Sequence, residues 1–497
     1  MTHKGGLLPL RKNTRLLLCL GVLFQISVVA FFYLNLYPDI QRLMPDDTLY
    51  YLQISKNIAG GHGSVFSPGE PTNGYHPLWM AILVVMRLVL SPGRNLMILF
   101  VLVLSVLLNG ITALLLRRFL LDLRSGERAA DLGMILYLML PWLVLLNLSG
   151  LETPLFFMCL ILFFMVIGRI HREASTSTGK YILLGAVSGL LFLSRTDSVF
   201  FILSGAGYLI YKKRAMAVLR KLLLSGLSAG ILTLPWLLWC WLRFGSPVQS
   251  SGMAISYWRW YTMHPVSSIE YWMINAGRMI HKLAVIFFSP FMYHADSFET
   301  IIPIVCDVLM LVAVAAAVWY LYRHRKRTNI PVYLWLPSIL MLVFYTYVRI
   351  ASAVWHMAVF PLLLLLLLVK LLSGLEWRSS RVIAGIALLI LMNIYTLGNG
   401  FYYPQQSGDL MGNAMNLGAE SDEPLVIGAT DAGYLGYFSE ERHIVVNLDG
   451  VVNNRAFQHI RNGTMDRYID ELDPDILKIS QERLEFYTRN SCARQDR

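Results

Sequence analysis

Charge is scarce in this chain: 15% of its 497 residues are Asp, Glu, Lys or Arg, while 56% are hydrophobic. A soluble globular chain carries nearer a quarter charged residues, so an ordinary water-soluble fold is excluded. Cysteine is sparse as well. The five cysteines (Cys19, Cys159, Cys240, Cys306 and Cys492) are scattered, four of them in apolar runs. That distribution offers neither metal-ligand spacing nor a disulfide framework. No Gly-rich phosphate loop opens a cytoplasmic helix, and there is no internal repeat or low-complexity tract. The first apolar run, residues 16–36, lacks a small-x-small cleavage site before Tyr37, so it reads as an uncleaved first helix rather than a signal peptide.

What is present is segmentation. Mean hydropathy is +0.54. Long apolar runs such as residues 16–36, 96–116, 301–322 and 332–348 recur through the first four-fifths of the chain. Many approach the roughly 20 residues that span a bilayer. The net charge of +11 is not a nucleic-acid footprint, because it sits in short clusters between these runs: Arg11-Lys12, Arg117-Arg118, Lys212-Lys213-Arg214 and Arg323-His324-Arg325-Lys326-Arg327. Short loops rich in Lys and Arg stay in the cytoplasm, with contact to anionic membrane lipids as a secondary role.

Placing the clusters inside threads the chain. The N-terminus is cytoplasmic, and spans follow at about 94–117, 131–148, 155–169, 180–194, 198–211, 221–242, 300–322, 331–348, 355–373 and 381–398. With the first run that makes about 11 helices. The apolar stretch 75–90 is short for a span and would put every later basic cluster outside. It is therefore expected to lie in the outer interface as an amphipathic helix, with Trp79 as a headgroup-level anchor. The expected fold is an all-α polytopic membrane module over residues 1–399. Its first outer loop runs from about 37 to 93 and a second large outer segment from about 244 to 298. Residues 400–497 alternate strand and helix signals and form a small extra-cytoplasmic α/β domain.

This topology sets several polar residues near one depth at the outer ends of the spans: Asp46, Asp47, Glu152, Arg195, Asp197, Arg349 and His356. Charges there are expensive and tend to be functional. Asp46-Asp47 follows Pro45 and precedes a helical stretch closed by Gly60-Gly61. One Asp suffices as an N-cap; two can also deprotonate a hydroxyl or hold a divalent cation such as Mg or Mn. Glu152 is either a solvated turn residue or a site residue. Arg195 is either an interfacial anchor paired with Asp197 or a phosphate-binding fork. His356, beside Trp355, ranks below the Asp pair. Asn447-Leu448-Asp449-Gly450 reads as an Asp-Gly turn after a strand, with Asn453-Asn454 making it a candidate sugar-contacting loop.

Several of these segments share a pattern with a known group. Asp46-Asp47 with Tyr50-Tyr51, Gly61-His62-Gly63 and Thr72-Asn73-Gly74-Tyr75-His76-Pro77-Leu78-Trp79 resembles the first outer loop of GT-C superfamily glycosyltransferases. The resemblance continues at Gly150-Leu151-Glu152-Thr153, Arg195-Thr196-Asp197, Arg243-Phe244-Gly245-Ser246-Pro247, Gly433-Tyr434-Leu435-Gly436-Tyr437-Phe438 and Asn447-Leu448-Asp449-Gly450. Within that superfamily the pattern is similar to bacterial arabinofuranosyl- and mannosyl-type transferases. The resemblance implies an inverting transfer from a polyprenyl-phosphate sugar to a glycan, lipid or protein acceptor of the cell envelope, in a bacterial inner membrane. An acidic residue of the first outer loop is then the base, and Tyr50, His62, Asn73 and His76 join Glu152, Arg195, Asp197, Arg349, His356, Asn447 and Asp449 as substrate-binding candidates. Asp47 or Asp46 would take the acceptor proton, and Arg195, with Arg349, would steady the departing phosphate. The rival reading is a transporter or flippase of a lipid-linked glycan. Such a protein more often shows inverted repeats and broken helices meeting in mid-membrane.

Overall fold

The computed structural model describes residues 10–173, 177–213, 216–263, 268–292, 301–323, 331–348, 353–372, 379–398, 416, 423–481 and 483–488. The chain begins with α1 (Lys12–Leu34), α2 (Leu36–Leu43), α3 (Asp46–Ala59) and α4 (Pro77–Leu90). It continues through α5 (Arg94–Asp122), α6 (Glu127–Met139), α7 (Pro141–Asn147), α8 (Thr153–Arg172) and α9 (Thr178–Ser194). A 3-10 turn, Thr196–Ser198, leads into α10 (Val199–Lys213) and α11 (Met216–Phe244). Then come α12 (Ser250–Met263), α13 (Ser268–Met292), α14 (Ile301–Arg323), α15 (Val332–Tyr347), a 3-10 turn Val354–Met357, α16 (Val359–Leu372) and α17 (Ser379–Gly398).

The protein is an integral membrane protein. Among the described residues, α1, α5, α8 and α11 are long and apolar enough to cross a membrane, and α6 with α7 makes a fifth if the bent pair is one span. That pair bends by 59° at Pro141, which removes a backbone donor and crowds the preceding turn. The other apolar helices, including α9, α15 and α16, are shorter.

Two devices lock the helices together. A buried amide ladder joins three of them: Gln25 donates to the Leu138 carbonyl at 3.1 Å, Asn109 to Gln25 at 3.0 Å, and Tyr137 to Asn109 at 3.2 Å. Such hydrogen bonds between apolar helices fix register where hydrophobicity alone cannot. The second is close backbone approach at glycine. A Cβ on Gly185 of α9 would lie 2.1 Å from the Ser225 carbonyl of α11, and Gly189, one turn on, faces the same helix.

Helix α4 has two faces, as expected of an amphipathic helix, but one of its residues is placed differently. Trp79, Met80, Leu83 and Arg87 are buried in the protein, while Val85, Leu88, Val89 and Leu90 are exposed. Trp79 is no headgroup anchor. Its indole is fully enclosed and donates to the Gly150 carbonyl at 3.2 Å, because a buried indole N–H needs a partner. The second large outer segment is also not an open loop: α12 and the 25-residue α13 occupy most of it.

The C-terminal residues form a small α/β unit from β1 (Val426–Ala429), α18 (Gly433–Phe438), β2 (Ile444–Asn447), α19 (Asn454–Asn462), α20 (Met465–Leu472) and β3 (Ile476–Lys478). The sheet order is β2-β1-β3 and both pairings are parallel, with Ile427 opposite Val445 and Ile476. Parallel neighbours need crossover connections, which the helices supply. Most of the expected domain's first part, residues 400–415 and 417–422, lies outside the described residues.

If the glycine contact between α9 and α11 is as tight as its geometry, a branched side chain there must push the helices apart. Gly185→Val is expected to cost about 1–3 kcal/mol, read as a lower midpoint in thermal unfolding of the detergent-solubilised protein. Gly207→Val, at a position with open space around it, serves as the control.

Candidate active site

Asp46 and Asp47 occupy the first turn of α3, after Pro45. Consecutive helical residues project about 100° apart, so the two carboxylates face different places. Asp46 accepts the backbone amides of Gly433 at 3.0 Å and Tyr434 at 2.8 Å. Those are free N–H groups of the first turn of α18; Asp46 therefore caps a helix, but not its own. Asp47 instead lines a small cleft, with Tyr50 and Tyr51 beside it. The opposite walls come from Gly74-Tyr75-His76, the Leu151-Glu152 turn, Gln249, Trp355-His356 and Val451-Val452. Segments distant in sequence thus converge on one hollow.

Behind the cleft wall lies a compensated charge network. Arg195 is 1% exposed and Glu152 3%, so each must be fully paired to be tolerated. The Arg195 guanidinium forks onto Asp197 at 2.7 and 3.2 Å, and its other end donates to Glu152 at 3.3 Å and to the Trp355 carbonyl at 3.0 Å. Tyr345 donates to Asp197, and Tyr51 donates to Glu152 at 3.3 Å while accepting the His76 amide at 2.9 Å. The His76 Nε2 stands 3.7 Å from Glu152, and its Nδ1 is 3.3 Å from the Gln249 amide nitrogen. With Nδ1 accepting from Gln249, the tautomer carries its proton on Nε2, toward Glu152.

The carboxylates on the cleft side are the reverse case. Burial, then the neighbouring Asp431, push the Asp46 carboxyl up to about 7, even though the Gly433 and Tyr434 amides and the Tyr50 hydroxyl favour its charged form. Asp47 is raised well above the usual carboxylate range by burial, and then by Asp46, Asp449, Asp431 and Glu152. In the C-terminal unit, burial and Asp449 raise Asp431 to about 6. A carboxylate held this high is a base matched to near-neutral pH.

The expected site residues fall into three groups. Asp47, Tyr50, His76, Glu152 and His356 line the cleft. Arg195 and Asp197 lie behind it, and the Arg195 fork is engaged with carboxylates, so the expected phosphate-steadying role does not fit its position. Asn73, Asn447 and Asp449 are joints rather than walls. Asn73 is fully buried and accepts from the Ser250 amide and the Asn454 side chain, both at 3.1 Å. Asn447 donates to the Tyr50 hydroxyl at 3.1 Å and accepts the Gly450 amide at 3.1 Å. Asp449 holds the Asp431 amide at 3.1 Å and the Val451 amide at 2.9 Å. His62 is exposed at the end of α3, away from the cleft. Arg349 lies outside the described residues.

Four contributors escaped the sequence reading. Tyr51 was legible, because it follows Asp47 by four residues and therefore shares its helix face. Gln249, Tyr345 and Asp431 carried no comparable signal. As for metal, the two adjacent carboxylates do not make a chelating pair, since Asp46 faces the α18 amides and Asp47 the cleft. No three His, Cys, Asp or Glu side chains gather as a ligand set among the described residues. The Mg or Mn ion expected on this pair does not fit it.

The fold is similar to that of solved oligosaccharyltransferases. The particular likenesses are distant. The archaeal oligosaccharyltransferase AglB from Archaeoglobus fulgidus, solved in complex with an inhibitory peptide and a dolichol-phosphate, matches with a TM-score of 0.53 and 13% identity, over 94% of this chain and 69% of AglB. The A. fulgidus oligosaccharyltransferase tethered to an acceptor peptide containing the NVT sequon matches at 0.52 and 12% identity, over 93% of this chain and 68% of that one. ArnT from Cupriavidus metallidurans, bound to undecaprenyl phosphate, gives 0.48 and 16% identity over 75% of this chain, which spans 63% of ArnT. Residues 399–495 match a family described as Domain of unknown function (DUF8728). No curated protein matches the chain. At these identities the likeness is one of fold.

Removing Arg195 would strand Glu152 and Asp197 as buried, uncompensated charges. Arg195→Met is expected to destabilise the protein by about 3–5 kcal/mol, measured by denaturation in detergent. The triple variant with Glu152→Gln and Asp197→Asn should recover much of that loss.

Proposed function

We propose that this chain is a membrane glycosyltransferase that moves a sugar from a polyprenyl-phosphate carrier to a glycan, lipid or protein acceptor of the cell envelope, on the extra-cytoplasmic face and with inversion. The observation that carries this reading is Asp47: a carboxylate held above its usual range, lining a cleft beside the membrane helices. The AglB complex with dolichol-phosphate supports a lipid-linked donor, and the A. fulgidus oligosaccharyltransferase tethered to a sequon-bearing acceptor peptide supports a separate acceptor.

The reaction is a single displacement. Asp47 accepts the proton of the attacking acceptor group as that group bonds to the anomeric carbon. The bond from that carbon to the phosphate oxygen breaks, and the electron pair leaves with the lipid phosphate. Tyr51 and His76 border the reacting space, each tied to the Glu152 carboxylate that Arg195 holds in place. His76 and His356, the cleft-lining side chains able to carry positive charge, are suited to steady the departing phosphate. A lipid-linked donor also accords with the expected outward-facing site, because nucleotide sugars are made in the cytoplasm.

Asp47→Asn should lower transfer by at least about 100-fold in reconstituted protein offered a panel of labelled polyprenyl-phosphate sugars and envelope acceptors, while the protein stays folded. Retained transfer removes the mechanism. Labelled lipid moving between leaflets without transfer would instead favour a flippase.

The pH dependence has a defined sign. Asp47 works only when ionised, so the rate falls as pH drops through its raised pKa. The acid limb of kcat should therefore lie well above pH 4, the range of an ordinary carboxylate. An acid limb at or below pH 4 would show that Asp47 is not the base.

A further inference from the structure

Several contacts of the C-terminal unit with the rest of the chain bear on the elements that carry the cleft side chains. A Cβ on Gly433 would lie 2.3 Å from the Asp46 carbonyl, so α18 approaches the start of α3 as closely as backbones allow. Asp46 receives the two amides of α18 there. One turn along α3, the Tyr50 hydroxyl accepts the Ala432 amide at 2.8 Å and the Asn447 side chain at 3.1 Å, and is hydrogen-bonded to Asp46. Tyr434 reaches back to the Met44 carbonyl at 2.8 Å, just ahead of the helix. Asp47 lies between these anchors.

The opposite wall is held in the same way. A Cβ on Gly74 would lie 2.0 Å from the Val451 carbonyl, and Asn454 hydrogen-bonds Asn73, two and three residues before His76. The α3 wall thus leans on α18 and the end of β2, and the Gly74 wall on the loop that follows β2, which itself contributes Val451 and Val452 to the cleft. Asn447 stabilises this loop from within, accepting the Gly450 amide and, through its carbonyl, the Asn453 side chain.

We propose that the C-terminal unit, matched to a domain family of unknown function, is the positioning element of the active cleft, with Gly433 and Asn447 as positioning residues that fix α3 so that Asp47 faces the acceptor. This rests on the glycosyltransferase reading above. Neither residue lines the cleft; each acts through α3. The unit need not recognise the sugar to be indispensable, because a displacement of about 1 Å in a catalytic group can cost on the order of 100-fold in rate.

The test compares wild type with Gly433→Ala and Asn447→Ala in reconstituted full-length protein. It measures kcat and KM for a polyprenyl-phosphate sugar and its acceptor, and amide hydrogen exchange across residues 46–52. Expected are a kcat lower by about 10- to 100-fold, KM values within about twofold of wild type, and faster exchange confined to the first turns of α3. Unchanged kcat with unchanged exchange overturns the proposal. So does a raised KM with kcat retained, which would make the unit a substrate-binding module. Should Gly433→Ala fail to fold, Asn447→Ala, which deletes side-chain hydrogen bonds without a backbone clash, carries the measurement. If wild type transfers no sugar, the glycosyltransferase reading fails by itself. The exchange measurement then decides positioning alone, and unchanged exchange in Asn447→Ala sinks it.

Discussion

The contact between Asp46 and the first turn of α18 is the constraint on which the cleft depends. A helix start presents amides with no intrahelical partner, and a carboxylate is the side chain best suited to meet them. Here carboxylate and helix come from opposite ends of the chain. Only glycine at position 433 leaves room for the α3 backbone to come so near. Once that contact forms, the direction of Asp47 is set by helical geometry alone.

Charge is handled in two ways within a short distance. On the Arg195 side, one guanidinium satisfies two buried carboxylates and a carbonyl, so Glu152 is held as a fixed acceptor for Tyr51 and a neighbour for His76. On the Asp47 side, burial and the neighbouring carboxylates Asp46, Asp449 and Asp431 raise Asp47, with no cation among its main influences. The two arrangements sit on different walls, and Arg195 is not among the main influences on Asp47.

The helical, apolar character of the chain was legible because lipid imposes a simple demand on apolar length. The separate helix Pro77–Leu90 was located from its shortness and its effect on charge parity. Its Trp79 was misread, since an aromatic beside an interface looks alike in sequence whether it faces headgroups or a neighbouring turn. Among site residues, adjacency was legible and partnership was not. Asp46-Asp47 stood out as a pair, yet nothing local says that one of them reaches across nearly 390 residues to α18. Arg195 likewise reads as a phosphate fork until Glu152, 43 residues earlier, is seen against it.

The division of labour between the two aspartates follows from these pairings. Neighbouring carboxylates on an extended strand alternate faces, and those on a helix diverge by about 100°; in neither case do both aim at one small ligand without a bend in the backbone. An Asp-Asp start to a helix is thus better suited to joining two environments than to gripping one ion. Here the environments are a second helix terminus and the cleft, and the first fixes how the second is presented. The adjacent charge also matters chemically, because Asp46 is the largest ionic influence raising Asp47. The two carboxylates are therefore coupled twice, through the helix that carries both and through the field between them.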